Sequence, residues 1–176
     1  MTSLKNRLLV GSVLTLLALG GMAVQIPSSM DPGLKFDLSE PFCIYGGLLL
    51  GPLAGLLIVG AKNALHHLLV SPHLIGHFCN LWAVGTMTVV TVVVFRRQRQ
   101  RNNSVIKALS FSLAAGTLAR IAVMIVVNLF AIQHYGLSLT EAERYALTAS
   151  LLFNLAQGIA TSLCLLLVIP LVSRRV

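Results

Sequence analysis

The sequence has few charged residues and very few acidic ones. Charged side chains make up 10% of its 176 residues, with 13 Lys and Arg against five Asp and Glu. Hydrophobic residues account for 56% of the chain, and the mean hydropathy is +0.87. A chain of this composition cannot cover itself with the charged surface that a water-soluble domain needs. The composition therefore predicts a multi-pass, polytopic membrane protein.

Linkers and cysteine motifs are also lacking. No Ser-, Pro- or Gly-rich stretch is long enough to separate two folding units, so we predict that residues 1–176 form a single integral membrane domain. The three cysteines, Cys43, Cys79 and Cys164, lie in apolar surroundings without CxxC spacing. This pattern indicates neither a disulfide framework nor a structural zinc site.

The apolar runs predict an all-α bundle of six helices, because a helix needs about 20 residues to cross roughly 30 Å of hydrocarbon. The predicted ranges are about Arg7 to Ile26, Ser39 to Leu50, Pro52 to Val70, Ile75 to Phe95, Val105 to Ala131 and Tyr145 to Val172. The second helix reaches only about 18 Å. It either crosses incompletely or forms a re-entrant hairpin with the third, and both versions leave the topology unchanged.

Basic residues lie almost entirely on one side of this topology, and an excess of them marks the cytoplasmic face. That side holds Lys5, Arg7, Arg96, Arg97, Arg99, Arg101, Lys107, Arg174 and Arg175, whereas all five acidic residues fall in the opposite loops. We therefore predict that both termini are cytoplasmic. An alternative for the first helix is a cleaved signal peptide, since Gly21-Met22-Ala23 resembles a cleavage site. The positive charge is explained by membrane lipid headgroups, and no nucleic-acid partner is predicted.

Polar side chains recur at a common depth in the predicted outer half of the bundle. They are Lys62, Asn63, His66, His67, Asn80, Arg120, Asn128, Asn154 and Gln157. The inner half of the same helices carries only Ser and Thr hydroxyls, which can bond to their own helix. Because polar side chains in hydrocarbon are costly and usually face the interior, the pattern predicts a polar pocket open to the outside above a dry floor.

Each of these residues also has a structural interpretation. The amides can join helices without binding a ligand, and Lys62 and Arg120 can snorkel to headgroups. Asp37 and Glu40 can be loop or helix-start charges. The histidines with Cys79 raise the possibility of a transition-metal site. We predict no metal, because adjacent histidines face different sides of a helix and no carboxylate is spaced to complete the set.

Several motifs point to one family. The run Lys35-Phe36-Asp37-Leu38-Ser39-Glu40-Pro41 is followed by Gly46, Gly51-Pro52-x-x-Gly55, Lys62-Asn63-x-x-His66, Gly76-x-x-x-Asn80, Arg120, Asn128, Tyr135 and Phe153-Asn154-Leu155-x-x-Gly158. This series, over about residues 34 to 158, resembles the riboflavin-type substrate-binding (S) components of energy-coupling factor (ECF) transporters.

The resemblance implies a six-helix protein of the plasma (inner) membrane that captures a vitamin, most simply riboflavin or a related flavin, from outside. It implies a coupling membrane protein and two ATPase subunits as partners, and neither an enzymatic reaction nor a cofactor. The predicted binding residues are Asp37, Phe42, Lys62, Asn63, His66, Cys79, Asn80, Asn128, Tyr135, Asn154 and Gln157. Flat apolar contact would come from Phe42, Tyr45, Trp82 and Tyr135.

The chain departs from the family pattern at three positions, where Gln157 replaces a Lys, His77 an acidic residue and Cys79 an Ala. These departures leave open a cobalamin-binding S component that works without the energising module, with Cys79 as cobalt ligand. The docking face of the first helix is reduced to a small-residue patch of Ala18, Gly20, Gly21 and Ala23. Two further classes stay open: an intramembrane hydrolase using Cys79 with His77 or His66, and a structural subunit that binds no small molecule.

Overall fold

Six helical segments form the protein, as the sequence predicts. The structure, a computed structural model, describes residues 3–28, 34–133 and 138–172. The helices are α1 Leu4–Ala23, α2 Glu40–Leu50, α3 Pro52–Leu69, α4 Leu74–Gln100, α5 Val105–Gln133, α6 Leu139–Tyr145 and α7 Leu151–Val172. A π-helical turn, Ala146–Ser150, joins α6 to α7, so these two run on as one helix. The last segment therefore starts six residues earlier than the predicted Tyr145.

Four helices in the described ranges are long and apolar enough to cross a membrane. They are Leu4–Ala23, Leu74–Gln100, Val105–Ala131 and Leu139–Ile169. The 18-residue helix α3 carries several polar side chains, and α2 has only 11 residues, or about 16 Å of length. The prediction that the second segment is too short to span on its own is thus confirmed.

Glycines allow α2 and α3 to pack closely. Gly51 joins the two helices with φ of 117°, a left-handed backbone conformation that favours glycine, and Pro52 starts α3 at once. A Cβ added at Gly55 would lie 2.8 Å from Gly47 Cα. The backbones of α2 and α3 therefore touch at a point where no side chain fits.

A short β-hairpin adds to the predicted all-α bundle. Strand β1, Gln25–Pro27, pairs antiparallel with β2, Lys35–Asp37, with Ile26 opposite Phe36. The predicted extension of the first helix to Ile26 was wrong, because α1 ends at Ala23 and the chain continues as a strand. The hairpin brings Asp37 over the ends of α3, α4 and α7, where its carboxylate and carbonyl accept hydrogen bonds.

The apolar core lies at the other end of the bundle, towards the end of α4 and the start of α5. It joins four helices through the buried residues Ile44, Leu48, Met87, Val92, Phe95, Ala108, Leu109, Leu113, Leu165 and Ile169. These side chains pack against one another, and their contacts hold α2, α4, α5 and α7 together. This core lies in the half of the bundle where the sequence predicts no amide or charged side chain inside the helices.

Candidate functional site

Polar side chains from β2, α2, α3, α4, α5 and α7 meet at the hairpin end of the bundle. Most of the predicted site residues lie here, in two hydrogen-bonded networks that Gln157 connects. Tyr135, predicted to contact the ligand, falls outside the described residues. The convergence that the common depth of these residues predicts is therefore observed.

The first group, which we call the lysine network, surrounds the ammonium of Lys62. Lys62 is fully buried, and its Nζ donates to Ser39 Oγ at 2.5 Å and to Asn80 Oδ1 at 2.8 Å. The nearest carboxylate oxygen, Oδ2 of Asp37, is 3.5 Å away. A charge in an apolar bundle is tolerable only when it is paired and hydrogen-bonded. The alternative in which Lys62 snorkels to headgroups is wrong.

Asp37 is the acidic partner in the lysine network. Its Oδ1 accepts from the Ser39 backbone N–H at 2.8 Å and from the Ser39 hydroxyl, and its Oδ2 accepts from Asn80 Nδ2 at 2.9 Å. Burial by itself raises the pKa of Asp37, but the Lys62 ammonium and the hydrogen bonds from Ser39 and Asn80 outweigh it and lower that pKa. Asp37 is therefore ionised at neutral pH.

Asn80 and Asn63 complete the lysine network. Asn80 Oδ1 accepts from Lys62 and, at 3.1 Å, from Asn63 Nδ2, which also donates to Val59 O at 2.9 Å. Both polar atoms of the Asn80 side-chain amide are thus engaged, since its Nδ2 donates to Asp37. These bonds join α3 to α4 and β2, so the amides also act between helices as the structural interpretation predicts.

The second group, which we call the arginine network, pairs Arg120 of α5 with Glu40 of α2. Arg120 Nη1 lies 2.6 and 2.7 Å from the two carboxylate oxygens of Glu40, and both residues are buried. Arg120 Nε donates to Asn154 Oδ1 at 2.8 Å, and the Thr161 hydroxyl donates to Glu40 Oε2 at 2.8 Å. Like Lys62, Arg120 does not snorkel.

Sequence reasoning missed the arginine network as a unit. It placed Arg120 among the polar residues but not in the binding set, and it weighed Glu40 as a loop or helix-start charge. It counted Thr161 among the inner-half hydroxyls that bond to their own helix, whereas the Thr161 hydroxyl donates to Glu40. Glu40 does begin α2, and it also neutralises Arg120. The signal was a cation deep in a span, which requires an acidic partner in a chain with only five acidic residues.

Gln157 connects the two networks. Its Nε2 donates to the Asp37 backbone carbonyl at 2.9 Å and lies 3.5 Å from Thr161 Oγ1. Its Oε1 is buried and accepts no hydrogen bond from any residue that the structure describes. A buried amide oxygen without a donor is costly and is commonly found where a ligand or solvent supplies one.

Asn128 and Asn154 meet at the π-helical turn. Asn154 Nδ2 donates to the Ser150 carbonyl at 2.8 Å and to Ser150 Oγ at 3.2 Å, and Asn128 Nδ2 also donates to that hydroxyl. Ser150 is the last residue of the turn. π-Helical insertions are frequent at functional sites, and this one supports the two amides on the α5 and α7 side of the site.

Histidines of α3 and α4 form a third group beside Asn63. The ring of His77 lies 5.1 Å from that of His66 and 5.4 Å from that of His67, between centroids. The ring of His77 also contacts the Ser71 carbonyl and Asn63. Both ring nitrogens of His66 are buried without a hydrogen-bond partner in the described chain. Within the same residues, no three His, Cys, Asp or Glu side chains are placed to hold a metal ion.

The remaining predicted residues lie at the margin of the networks. Phe42 is half-buried and packs beside a small apolar cluster formed by α1 to α4, where Tyr45 also packs. Cys79 is half-buried and belongs to neither network. Trp82 is 46% exposed and contacts Phe78, so its predicted role as a pocket wall is not supported. The aromatic contact found beside Asp37 and Asn154 is between Phe36 and Phe153, with centroids 4.9 Å apart.

The predicted open hollow takes a different form in the structure. The polar side chains are buried and bonded to one another. A cavity of about 390 Å³ lies instead between α5 and α7, and its lining is mostly apolar. A polar ligand at the networks would therefore have to exchange existing hydrogen bonds for its own.

Fold and site together define a helical membrane protein with a buried polar centre beneath a hairpin. Residues 7–169 match the family described as ECF transporter, substrate-specific component. Because this match covers most of the chain, the protein belongs to the S components of ECF transporters. The resemblance stated from its motifs is confirmed, and the family is that of a transporter subunit rather than of an enzyme.

Two relatives illustrate the match. The riboflavin transporter RibU of Staphylococcus aureus (strain TCH60) is 23% identical over 170 residues, which cover 92% of this chain and 87% of that protein. A solved structure described as the S component of a bacterial ECF transporter superposes with a TM-score of 0.84 at 22% identity, covering 98% of both chains. At this identity the second likeness establishes the fold.

Proposed function

We propose that this S component captures riboflavin, or a flavin closely related to it, from outside the cell for import. The relative named as a riboflavin transporter supports this choice of ligand. The structural observation that carries the proposal is the set of buried amide and charged groups connected through Gln157, whose Oε1 accepts no hydrogen bond within residues 3–28, 34–133 and 138–172. A flavin ring offers an N–H donor beside two carbonyl acceptors, which suits a site of mixed donors and acceptors.

Binding would proceed by exchange of hydrogen bonds. Asn154 and Gln157 already present an amide on either side of the arginine network, and Asn80 presents one in the lysine network. A flavin gives up its hydration on entering, and the hydrogen bonds that its ring and hydroxyl groups form in place of these internal bonds compensate for that loss. An analogue without these groups leaves buried protein groups unpaired. Phe36 and Phe153 are placed to contact the flat ring.

The family implies a coupling membrane protein and two ATPase subunits in the plasma membrane as the energising partners. Helix α1 is the most exposed of the candidate spans, with 17% of its apolar window buried. Its small-residue patch is divided, since Ala18 is fully buried and a Cβ at Gly21 would meet the Leu38 backbone at 2.9 Å. Gly20, with open space around it, is the patch residue we assign to the partner surface.

Flavin titration of the purified protein tests the proposal. We expect the absorption spectrum of protein purified from rich medium to show a flavin band. Gln157→Leu should weaken the affinity for riboflavin about tenfold, the cost of about one lost hydrogen bond in a buried site. Gln98→Leu, which alters a glutamine in the basic cytoplasmic segment, is the matched control and should bind as the wild type.

A corrinoid band with no flavin binding would overturn riboflavin in favour of the cobalamin alternative. In that case Cys79→Ser should shift the corrinoid spectrum, because the cobalt ligand would be lost. Neither relative favours cobalamin, and the half-buried Cys79 lies outside both networks. Product formation from a candidate ester would support the hydrolase class instead.

A further inference from the structure

An apolar groove between α5 and α7 is separate from the polar networks. Its volume is about 390 Å³, and its walls include Leu113, Ala114, Leu118, Leu155, Ile159 and Leu163. The two helices touch tightly at Gly158, where an added Cβ would come within 2.5 Å of the Thr117 side chain. Thr117 also lines the groove, so the close contact between α5 and α7 lies at the base of the groove.

The groove has a polar end. On α5 its lining residues follow the spacing i, i+3, i+4, i+7 and i+8 from Ser110 to Leu118, which places them on one helix face. One turn closer to the start of α5, the same face carries Lys107, which is exposed. Lys107, Ser110 and Ala114 are thus stacked about 5 to 6 Å apart along the helix axis. Charge, hydroxyl and apolar surface follow one another in that order.

We propose that this groove holds one acyl chain of an anionic phospholipid whose phosphate pairs with Lys107. A phospholipid presents the same sequence of groups along its length: a charged headgroup, ester carbonyls and a hydrocarbon chain. Lys107 would contact the phosphate, the Ser110 hydroxyl an ester carbonyl, and Ala114, Leu118 and Ile159 the acyl chain. The lipid belongs to the leaflet at the start of α5, which the basic residues predict to be the cytoplasmic one.

The dimensions of the groove favour a lipid chain over a partner helix. Its lining runs about 12 Å along α5, from Ser110 to Leu118, and about 17 Å along α7, from Leu155 to Leu166, whereas a docked transmembrane helix would contact most of a 30 Å hydrocarbon core. Helix–helix seams in membranes are also rich in small residues, and this lining is dominated by Leu and Ile.

Native mass spectrometry of the detergent-purified full-length protein tests the proposal. The protein is incubated with equal amounts of phosphatidylglycerol and phosphatidylcholine, and the lipid that it retains is counted. We expect Lys107→Gln to reduce the preference for phosphatidylglycerol about fivefold, the effect of about one lost cation near a lipid phosphate. Arg97→Gln removes an exposed charge at the end of α4, outside the groove lining, and should reduce the preference less than Lys107→Gln does. An equal reduction in both variants would show a general attraction of basic residues to anionic lipid and would overturn the proposal.

A second variant fills the groove. Ala114 is an exposed wall residue, and Ala114→Trp should reduce retention of both lipids about fourfold for each methylene that the indole displaces. Ala160→Trp, at an exposed position of α7 outside the lining, is the size-matched control. Retention that is equal in all variants would overturn the proposal. So would unchanged lipid retention together with loss of a copurifying membrane subunit in Ala114→Trp, which would make the groove a protein interface.

Discussion

At the scale of single residues, two buried cations decide the character of the site. Lys62 and Arg120 are 0% and 3% exposed, and each lies against one carboxylate from the segment between β2 and the start of α2. Asp37 and Glu40 are three positions apart in the chain, so one short segment neutralises cations on two different helices. This arrangement connects the hairpin to the bundle by charge as well as by backbone.

Breaking the Arg120–Glu40 pair on one side should be more harmful than replacing both members. Arg120→Met leaves Glu40 buried and unpaired, and we expect a loss of about 3 kcal/mol of stability. The double variant Glu40→Leu with Arg120→Met should recover part of that loss, because no lone charge remains. Recovery is incomplete, since Asn154 and Thr161 lose their partners. Thermal unfolding midpoints in detergent measure the stability of the single and of the double variant. A double variant that is as unstable as Arg120→Met would contradict this expectation.

The Asp37 carboxylate should make stability depend on acid pH. Its folded pKa lies below the ordinary value of 3.8. The ionised group therefore contributes its full stabilisation above pH 3.8, and the contribution is lost as the pH falls through the lower folded pKa. We expect the difference in unfolding midpoint between wild type and Asp37→Asn to be constant from about pH 5 to 7 and to shrink below about pH 4. A difference that grows on acidification would show that the sign is wrong.

At the scale of elements, backbone contacts between helices depend on a few glycines. Gly55 of α3 faces Gly47 of α2 at backbone contact distance, whereas the Cβ position of Gly60, on the same helix, is open. The hairpin and the π-helical turn both position residues of the site. The hairpin supplies Asp37, and the turn supports Asn128 and Asn154. Irregular backbone thus positions the polar groups that regular helices alone would leave apart.

The two glycines of α3 give a matched test of this packing. Gly55→Ala forces a methyl group against the Gly47 backbone, and we expect it to destabilise the protein by about 1 to 3 kcal/mol. Gly60→Ala meets nothing within 4 Å and should be neutral or stabilise by about 0.5 to 1 kcal/mol through its higher helix propensity. Unfolding midpoints of the two variants provide the comparison. Equal midpoints would show that α2 and α3 separate readily.

At the scale of the whole molecule, the charges and the core divide the protein into two ends. Apolar packing among α2, α4, α5 and α7 lies near the basic end of α4, and the polar networks lie beneath the hairpin. We retain the prediction that residues 1–176 form one domain with both termini in the cytoplasm. The helices that contribute to the networks also contribute to the core, which supports a single folding unit.

Cysteine labelling in cells tests this topology. In a background where the three native cysteines are serine, Lys35→Cys in the hairpin should react with an impermeant maleimide in intact cells. Arg101→Cys, just after α4, should react only after the membrane is permeabilised, because the basic segment is predicted to face the cytoplasm. Both positions are exposed. The reverse pattern would invert the topology, and with it the direction of substrate capture.

Much of the fold and part of the site were predictable from the sequence. The length of an apolar run and the positions of helix breakers are local properties of the sequence. The six helical segments and their approximate ends were therefore predicted, including the short α2. The depth of Lys62, Asn80, Asn154 and Gln157 along their helices indicated that they would meet. The helix end at Ala23 was missed, because Val24 and Ile26 continue the apolar pattern while Gln25–Pro27 pairs as a strand with residues 35–37.

The sequence by itself determined that the chain is a membrane protein of six helical segments, because hydropathy and charge are properties of each segment taken alone. It also determined which side chains must avoid lipid. Only the tertiary structure decided how they do so: Glu40 reaches Arg120 across 80 residues, and Gln157 reaches Asp37 across 120. Such pairs depend on how helices pack side by side, and a buried charge selects as its partner whichever opposite charge that packing brings within hydrogen-bond distance.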